Sequence, residues 1–281
     1  MFNVGAKLVG TKIKPVLRYP GAKWTLAKWI CDHLPEHITY LEPFFGSGAV
    51  FFSKERSKIE TINDIDANVI NLFRVIRETP DELARLIDAT PWSREEYNAS
   101  INKTGDPVED ARRFLVRCWM ARAADYDRNG KSGWRNNTIK PQGSFKPDTW
   151  RKLPERILSI TDRLKQVQIE MQPAIELIPR YNAESVLIYA DPPYPLSTRC
   201  GAMYAHEMTD EDHIELLDAL DAHPGPVVLS GYSCDLYNDR LSHWMTRTAR
   251  AVADGGKQAV EVLWLNGKAA ATIRNPSLFE E

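Results

Sequence analysis

No apolar run in the chain approaches the roughly 18 residues that a bilayer span needs. The opening MFNVGAKLVGTKIKP does not read as a secretory signal. The four cysteines, Cys31, Cys118, Cys200 and Cys234, fall at no paired spacing, so neither a disulfide framework nor a zinc site is expected. Repeats and low-complexity tracts are missing, and neither sign of charge dominates, since 36 Lys and Arg against 38 Asp and Glu leave −2. These absences argue against membrane-spanning, fibrous, disulfide-stapled and wholly disordered chains. What remains is a globular composition, 43% hydrophobic and 26% charged over 281 residues. That is enough for one large domain, or for one domain carrying a smaller insertion. A cytoplasmic, monomeric protein is expected.

The small net charge hides an asymmetry. Between Ala111 and Ile157 twelve basic residues meet only four acidic ones, a local +8 inside a chain of net −2. An acidic body with one basic segment suits contact with a polyanion at one place. A solvated helical face is the plainer explanation of the same count.

Periodicity gives the frame. Short apolar runs at Ile38–Leu41, Ile59–Ile62, Val167–Met171, Ser185–Ala190 and Pro226–Ser230 read as strands. His243–Val252 and Ala259–Leu265, around Gly255-Gly256, predict an antiparallel hairpin. Helices are predicted after Asp66, where Val69, Ile70, Leu72, Phe73 and Ile76 share a face, and after Thr209, where Asp212 completes a capping box. The alternation predicts an α/β fold. Residues 78–156 contain helix starts (Ser93, Asp106-Pro107) but no buried strand. They are read as an inserted helical segment between a first core part, 1–77, and a second, 157–281.

Three strand ends carry chemistry. Asp191-Pro192-Pro193-Tyr194 follows the clearest buried strand, where open α/β sheets bind their ligands. The prolines stiffen the backbone and remove a donor, leaving carbonyls to point outward. A carboxylate, an adjacent carbonyl and an aromatic ring suit a planar amine: two acceptors for its two N–H groups and a face to stack on. A rigid proline turn is the alternative. Glu42-Pro43-Phe44-Phe45-Gly46-Ser47-Gly48 follows another strand, with glycines that let a ligand approach the backbone, although Phe51 stands where a dinucleotide fingerprint has its third glycine. Asp64, at the end of the next strand, suits ribose hydroxyls or a helix cap equally. Tyr19-Pro20-Gly21-Ala22-Lys23 reads as a turn opening a helix, with Lys23 placed to meet a carboxylate.

In this order, and with the insertion before Asp-Pro-Pro-Tyr, these motifs resemble the DNA adenine methyltransferase (Dam) family. Ser197-Thr198-Arg199, Tyr204, His206, Asp212-His213 and Leu229-Ser230-Gly231-Tyr232 extend the likeness over most of the chain. The resemblance implies a Rossmann-like, S-adenosylmethionine-dependent methyltransferase sheet with a mostly helical target-recognition insertion. By the same likeness Tyr19, Pro20, Gly21 and Lys23 would hold the methionine end of the cofactor. Glu42, Pro43, Phe44, Gly46 and Gly48 would form the main cofactor loop, with Asp64 on the ribose. One departure concerns the cofactor adenine: relatives often carry an acidic residue where this chain reads Gln172-Pro173-Ala174.

The implied reaction is methyl transfer to the N-6 amine of an adenine flipped out of double-stranded DNA, with GATC the family's common target. Asp191 and the Pro192 carbonyl would accept from the amine, Pro193 would hold the turn, and Tyr194 would stack on the base. No metal is required. The basic insertion would contact phosphates, with Arg128, Lys131, Arg135, Asn136 and Asn137 as candidates for base edges and Arg199 as a further DNA contact. Trp134 and Trp150 could stack on DNA or pack in the core. Two other readings stand beside this one: transfer to RNA bases or protein glutamine, and a DNA-binding protein without catalysis. Service in restriction-modification is compatible with the first.

Overall fold

The computed structural model describes residues 13–122, 133–136, 146–199, 201, 203–252 and 258–274. Its strands are β1 (Thr39–Glu42), β2 (Ile59–Asn63), β3 (Gln168–Glu170), β4 (Val186–Ala190), β5 (Val227–Gly231), β6 (Met245–Val252) and β7 (Gln258–Leu265). They form one sheet in the order β3-β2-β1-β4-β5-β7-β6. The first five lie parallel, and β7 runs antiparallel between β5 and β6. Each expected strand is present within one or two residues. The hairpin is β6-β7, paired from Met245↔Leu265 to Val252↔Gln258. The Gly255-Gly256 turn lies outside the described residues.

Strand alternation sends neighbouring side chains to opposite faces, and both faces are apolar. Tyr40, Leu187, Tyr189, Val228, Leu263 and Leu265 enter one core cluster. Leu41, Val186, Ile188, Val227, Leu229 and Trp264 enter the other. Helices therefore cover both sides, giving three layers. In chain order they are α1 (Ala27–Cys31), α2 (Ala67–Glu78), α3 (Pro80–Ala89), α4 (Arg94–Ala99), α5 (Pro107–Met120), α6 (Lys146–Trp150), α7 (Leu153–Leu164), α8 (Ala174–Leu177), α9 (Asp210–Asp221), α10 (Asp235–Arg240) and α11 (Gly267–Arg274). None of these is long and apolar enough to cross a membrane.

The helix starts follow the expected caps. Ser93 and Asp106 accept from the amides of Glu96 and Glu109, and Thr209 with Asp212 forms the complete capping box. Pro80 does more than stop a helix: it occupies the first turn of α3, directly after α2. Near the N-terminus the Pro20-Gly21 turn, with Gly21 at φ +68°, delays the helix, so α1 begins at Ala27.

The helices of the 78–156 segment share a core with the sheet. Leu83 and Ile87 of α3, Phe114 and Leu115 of α5, and Leu153 at the start of α7 join Val69, Leu72 and Phe73 of α2 in the cluster that contains Tyr40. Trp150 is also buried there and donates to the Thr90 carbonyl at 3.0 Å. The arginines of α5 correct the charge reading. Arg112 pairs with Glu96 and Glu109, Arg113 with Glu109, and buried Arg117 donates to the Ser100 carbonyl. All three cations are engaged within the protein, Arg112 and Arg113 because Glu109 lies one turn before them and Arg117 through the Ser100 carbonyl.

A buried ionic cluster ties α7 to β2. Glu60 accepts from Arg163 and, at 2.7 Å, from Lys54. Burial alone would raise its pKa, but the two cations hold it down to about 2. Glu60→Ala leaves both cations uncompensated and is expected to cost about 3–5 kcal/mol in thermal or denaturant unfolding at pH 7. Since the folded pKa is depressed, Glu60 stabilises above its unfolded value and loses this effect as the pH falls toward about 2. The gap between wild type and variant should therefore narrow under acid.

Candidate active site

The chain leaves β1 and β4 toward opposite sides of the sheet, and a crevice opens at the ends of these neighbouring parallel strands. Glu42 closes β1, Asn63 closes β2, and Asp191 directly follows β4. The crevice holds about 1250 Å³ including its open mouth. Its lining includes Tyr19 to Lys23, Glu42 to Ser47, Asn63 to Asp66, Gln172 to Ile175, Asp191, Pro193 and Tyr204. Segments far apart in sequence thus meet where the motifs were expected to meet.

The loop after β1 is held by β2. Asn63 Nδ2 donates to the Pro43 carbonyl at 2.9 Å, and the Phe45 amide donates to the Asn63 carbonyl at 2.9 Å. Gly46 has φ +49° and Gly48 φ +65°, so both occupy left-handed backbone that favours glycine. A Cβ on Gly46 would stand 3.2 Å from the Tyr19 ring, and one on Gly48 would overlap Phe45 and Phe52. Asp64 accepts from the amides of Gly46 at 2.8 Å and Asp66 at 2.9 Å. The cap of α2 is Asp66, not Asp64, which leaves the Asp64 carboxylate to the crevice. Burial raises its pKa to about 7 against those backbone hydrogen bonds. Glu42, 2% exposed, accepts from the Tyr40 hydroxyl at 2.6 Å. Burial raises it to about 8, opposed by the Tyr40 bond and reinforced by Asp191.

The carboxylate that Lys23 meets within the protein is that of Asp191. Lys23 Nζ stands 2.8 Å from Asp191 Oδ1, donates to the Gly21 carbonyl at 3.0 Å, and lies 3.8 Å from Glu261. Burial would lower its pKa, yet the two carboxylates outweigh burial and raise it. Ser230 also donates to Asp191 Oδ1, at 2.9 Å, with the Tyr189 hydroxyl 3.0 Å behind it. Among the described residues Oδ1 is held from two sides and Oδ2 carries no hydrogen bond.

Tyr194 differs from the open platform that the motif suggested. The residue is 6% exposed, with the Tyr232 ring edge-on at 4.6 Å and Lys23 Nζ 4.7 Å from the Tyr194 ring centroid. Its hydroxyl donates to Glu261 at 2.6 Å. Pro192 is buried, while Pro193 reaches the crevice lining. Arg199 also turns inward: it donates to the Tyr194 carbonyl at 2.7 Å and pairs with Glu207, which in turn accepts from the amides of Met203 and Tyr204. These contacts make it a strut for the loop after Tyr194 rather than an outward DNA contact.

Of the other basic and polar candidates, Arg128, Lys131 and Asn137 lie outside the described residues. Arg135 donates to the carbonyls of Ala121 and Arg122, and Asn136 accepts from Arg122 at 3.3 Å. The pKa values of Arg135 and Lys146 are lowered by burial and then by Arg18, so these three form a concentration of positive charge. Half-buried Trp134 lies beneath Arg94, 4.9 Å from its ring centroid. The sequence reading missed Glu261 and the contact made by Ser230. A signal for Glu261 was present: in VEVLWL it alternates onto the face of Leu263 and Leu265, an inward position for a carboxylate. Among the described residues no three His, Cys, Asp or Glu side chains group for a metal ion.

Among known proteins, residues 19–261 match the family model of the D12 class N6 adenine-specific DNA methyltransferases. The type II methyltransferase M1.LlaDCHI of Lactococcus lactis subsp. cremoris is 29% identical over 277 residues, covering 90% of this chain and 95% of that protein. The DNA adenine methylase of Escherichia coli strain K12 is 25% identical over 264 residues, covering 87% and 91%. A DNA adenine methylase of Vibrio cholerae serotype O1 is 30% identical over 197 residues, covering 66% and 68%.

The buried carboxylates give the ligand-free protein a defined pH response. Glu42 titrates near 4.5 when unfolded and at about 8 when folded, so the unfolded state binds fewer protons across that window. Stability from this group is complete below the unfolded value and falls as the pH rises toward about 8. Burial lowers the pKa of His37, His213 and His223, which pulls the other way, so the effect is read as a difference. In thermal unfolding from pH 5 to 8, Glu42→Gln should gain steadily on wild type. A constant gap would show that Glu42 titrates ordinarily.

Proposed function

Because the chain belongs to the D12 class of N6 adenine-specific DNA methyltransferases, we propose that it transfers a methyl group from S-adenosylmethionine to the N6 amine of an adenine flipped out of duplex DNA. The observation that carries this reading is Asp191: it lines the crevice at the end of β4, and Lys23 and Ser230 both hold it through Oδ1, with no hydrogen bond to Oδ2 among the described residues.

The crevice suits the cofactor at both ends. Ile65, Pro173 and Ile175 offer apolar walls for an adenine, and Asp64 has acceptor capacity left for ribose hydroxyls. The Gln172 side chain turns away to Glu170 at 3.1 Å, so in this chain apolar contact takes the place of an acidic reader of the cofactor base. Tyr19, Pro20, Gly21 and Lys23 line the same crevice, and buried Glu42 in its lining is available as a counter-charge for an ammonium. When bound, S-adenosylmethionine supplies an electrophilic sulfonium methyl.

The protein's own part is to orient and stabilise. Asp191 Oδ2 and the Pro192 carbonyl accept the two amine hydrogens and direct the nitrogen toward the methyl. As positive charge grows on that nitrogen, a fixed carboxylate gains strength as an acceptor, so Asp191 has no need to remove a proton first. Stacking on Tyr194 compensates for unstacking the base, and it requires one face of the now covered ring to open.

Within residues 78–156 the DNA face is the end of α5 and the stretch beyond it, with Arg18, Arg135 and Lys146 at its edge. Arg128, Lys131, Arg135, Asn136 and Asn137 remain the candidates for base edges. GATC is the first sequence to test, and the cytoplasm is the place of action. Labelled S-adenosylmethionine and unmethylated duplex should yield N6-methyladenine on digestion. Asp191→Ala should lower transfer by roughly 10²–10³-fold with cofactor binding retained. Label in RNA alone would move the substrate assignment to RNA, and an unchanged rate in the variant would remove Asp191 from the chemistry.

A further inference from the structure

Burying a carboxylate costs several kcal/mol unless partners compensate it. Glu261 is 2% exposed on β7, on the sheet face shared with Leu263 and Leu265, where an apolar side chain would pack without that cost. It lies one residue beyond the pairing of β7 with β5, which ends at Gly231↔Val262, so it reaches past the end of β5 toward the turn after β4. There its Oε1 accepts the Tyr194 hydroxyl at 2.6 Å and stands 3.8 Å from Lys23 Nζ. Lys23 is in turn 2.8 Å from Asp191. Three remote segments, the turn at Gly21–Lys23, the end of β4 and β7, meet at this carboxylate.

We propose that Glu261 is the positioning residue of the Asp-Pro-Pro-Tyr turn: it anchors the Tyr194 hydroxyl and shares the Lys23 ammonium with Asp191, thereby setting both the ring and the negative charge that face the target amine. The proposal rests on the methyl-transfer reading above. Without Glu261, the Tyr194 hydroxyl loses its acceptor, and Lys23 belongs to Asp191 alone. A fully neutralised Asp191 is a poorer acceptor for a nitrogen that gains positive charge. The loss therefore falls on the transfer step more than on binding.

The titratable and charged groups facing Glu261 are Lys23, Asp191, Tyr194 and Tyr189, and its register partner on β6 is uncharged Ala249. Burial raises its pKa against the pull of Lys23, with Asp191 adding to the rise. Acid protonates it and removes the charge that Lys23 shares, so wild-type transfer should slow as the pH drops through that raised value.

The test is single-turnover methyl transfer, at saturating DNA and S-adenosylmethionine, across pH 6 to 9, with cofactor and DNA affinities measured separately. Glu261→Gln is expected to slow transfer about tenfold or more, to leave both affinities within about threefold, and to lose the acid limb. Glu261→Asp keeps the charge at shorter reach and should keep the limb with a reduced rate. In the Tyr194→Phe background Glu261→Gln should cost less than in wild type, both in rate and in the unfolding temperature of the ligand-free protein. A Glu261→Gln rate within twofold of wild type, an acid limb that persists in it, or strictly additive effects would overturn the proposal. Should Glu261→Gln fail to fold, a wild-type rate in Glu261→Asp overturns it equally. An inactive wild type would overturn the methyl-transfer reading and this inference with it, whereas an active wild type with indifferent variants overturns this inference alone.

Discussion

A lysine buried between two carboxylates is the interaction on which the site depends. Lys23 stands 2.8 Å from Asp191 and 3.8 Å from Glu261, and it is 6% exposed. Burial alone would lower the pKa of an ammonium there. The two carboxylates raise the Lys23 pKa against its burial, and the contacts join the N-terminal turn, the end of β4 and the antiparallel strand β7. The sheet order makes this possible, because β7 inserts between β5 and β6 and brings an acidic side chain to the same end as Asp191.

The same economy of charge governs the rest of the crevice. Glu42 and Asp64 are buried with donors too few to hold their pKa values down, at about 8 and about 7. Such groups are costly in a ligand-free protein and are better matched by a positively charged guest. The cofactor we propose carries both a sulfonium and an ammonium, so the electrostatic strain of the free site becomes selectivity in the bound one. Glu60 shows the contrast: also a buried carboxylate, it has Arg163 and Lys54 beside it and stays ionised down to about 2. One carboxylate is satisfied for the fold, and the others are left for a ligand.

Much of this was legible in the chain because it depends on local signals. Strand alternation, the caps at Ser93, Asp106 and Thr209, and the motif at each strand end are short-range patterns, and the structure forms them within one or two residues. What escaped depends on register and on neighbours. Glu261 matters because β7 pairs with β5 in one register, and a slip of one residue would send it to the opposite face. Arg112 and Arg113 looked like free cations because the count of charge began just after Glu109 and Asp110, whereas a helix reads three and four residues back. Arg199 was expected to contact DNA, and its partner Glu207 lies eight residues on across a loop whose path no periodicity encodes.

With the α5 arginines engaged inside the protein, the remaining charges divide more sharply. The crevice concentrates carboxylates, and the cations that repel one another, Arg18, Arg135 and Lys146, gather beside it. Arg18 directly precedes the Tyr19–Lys23 wall, so the positive cluster and the acidic crevice are joined by a single turn of chain. On the proposed reading a polyanion seated on the first delivers its base to the second. A net charge of −2 is then the sum of two opposed electrostatic surfaces, each matched to a ligand of the other sign. Neutralising the whole chain uniformly would leave the total almost unchanged and abolish both.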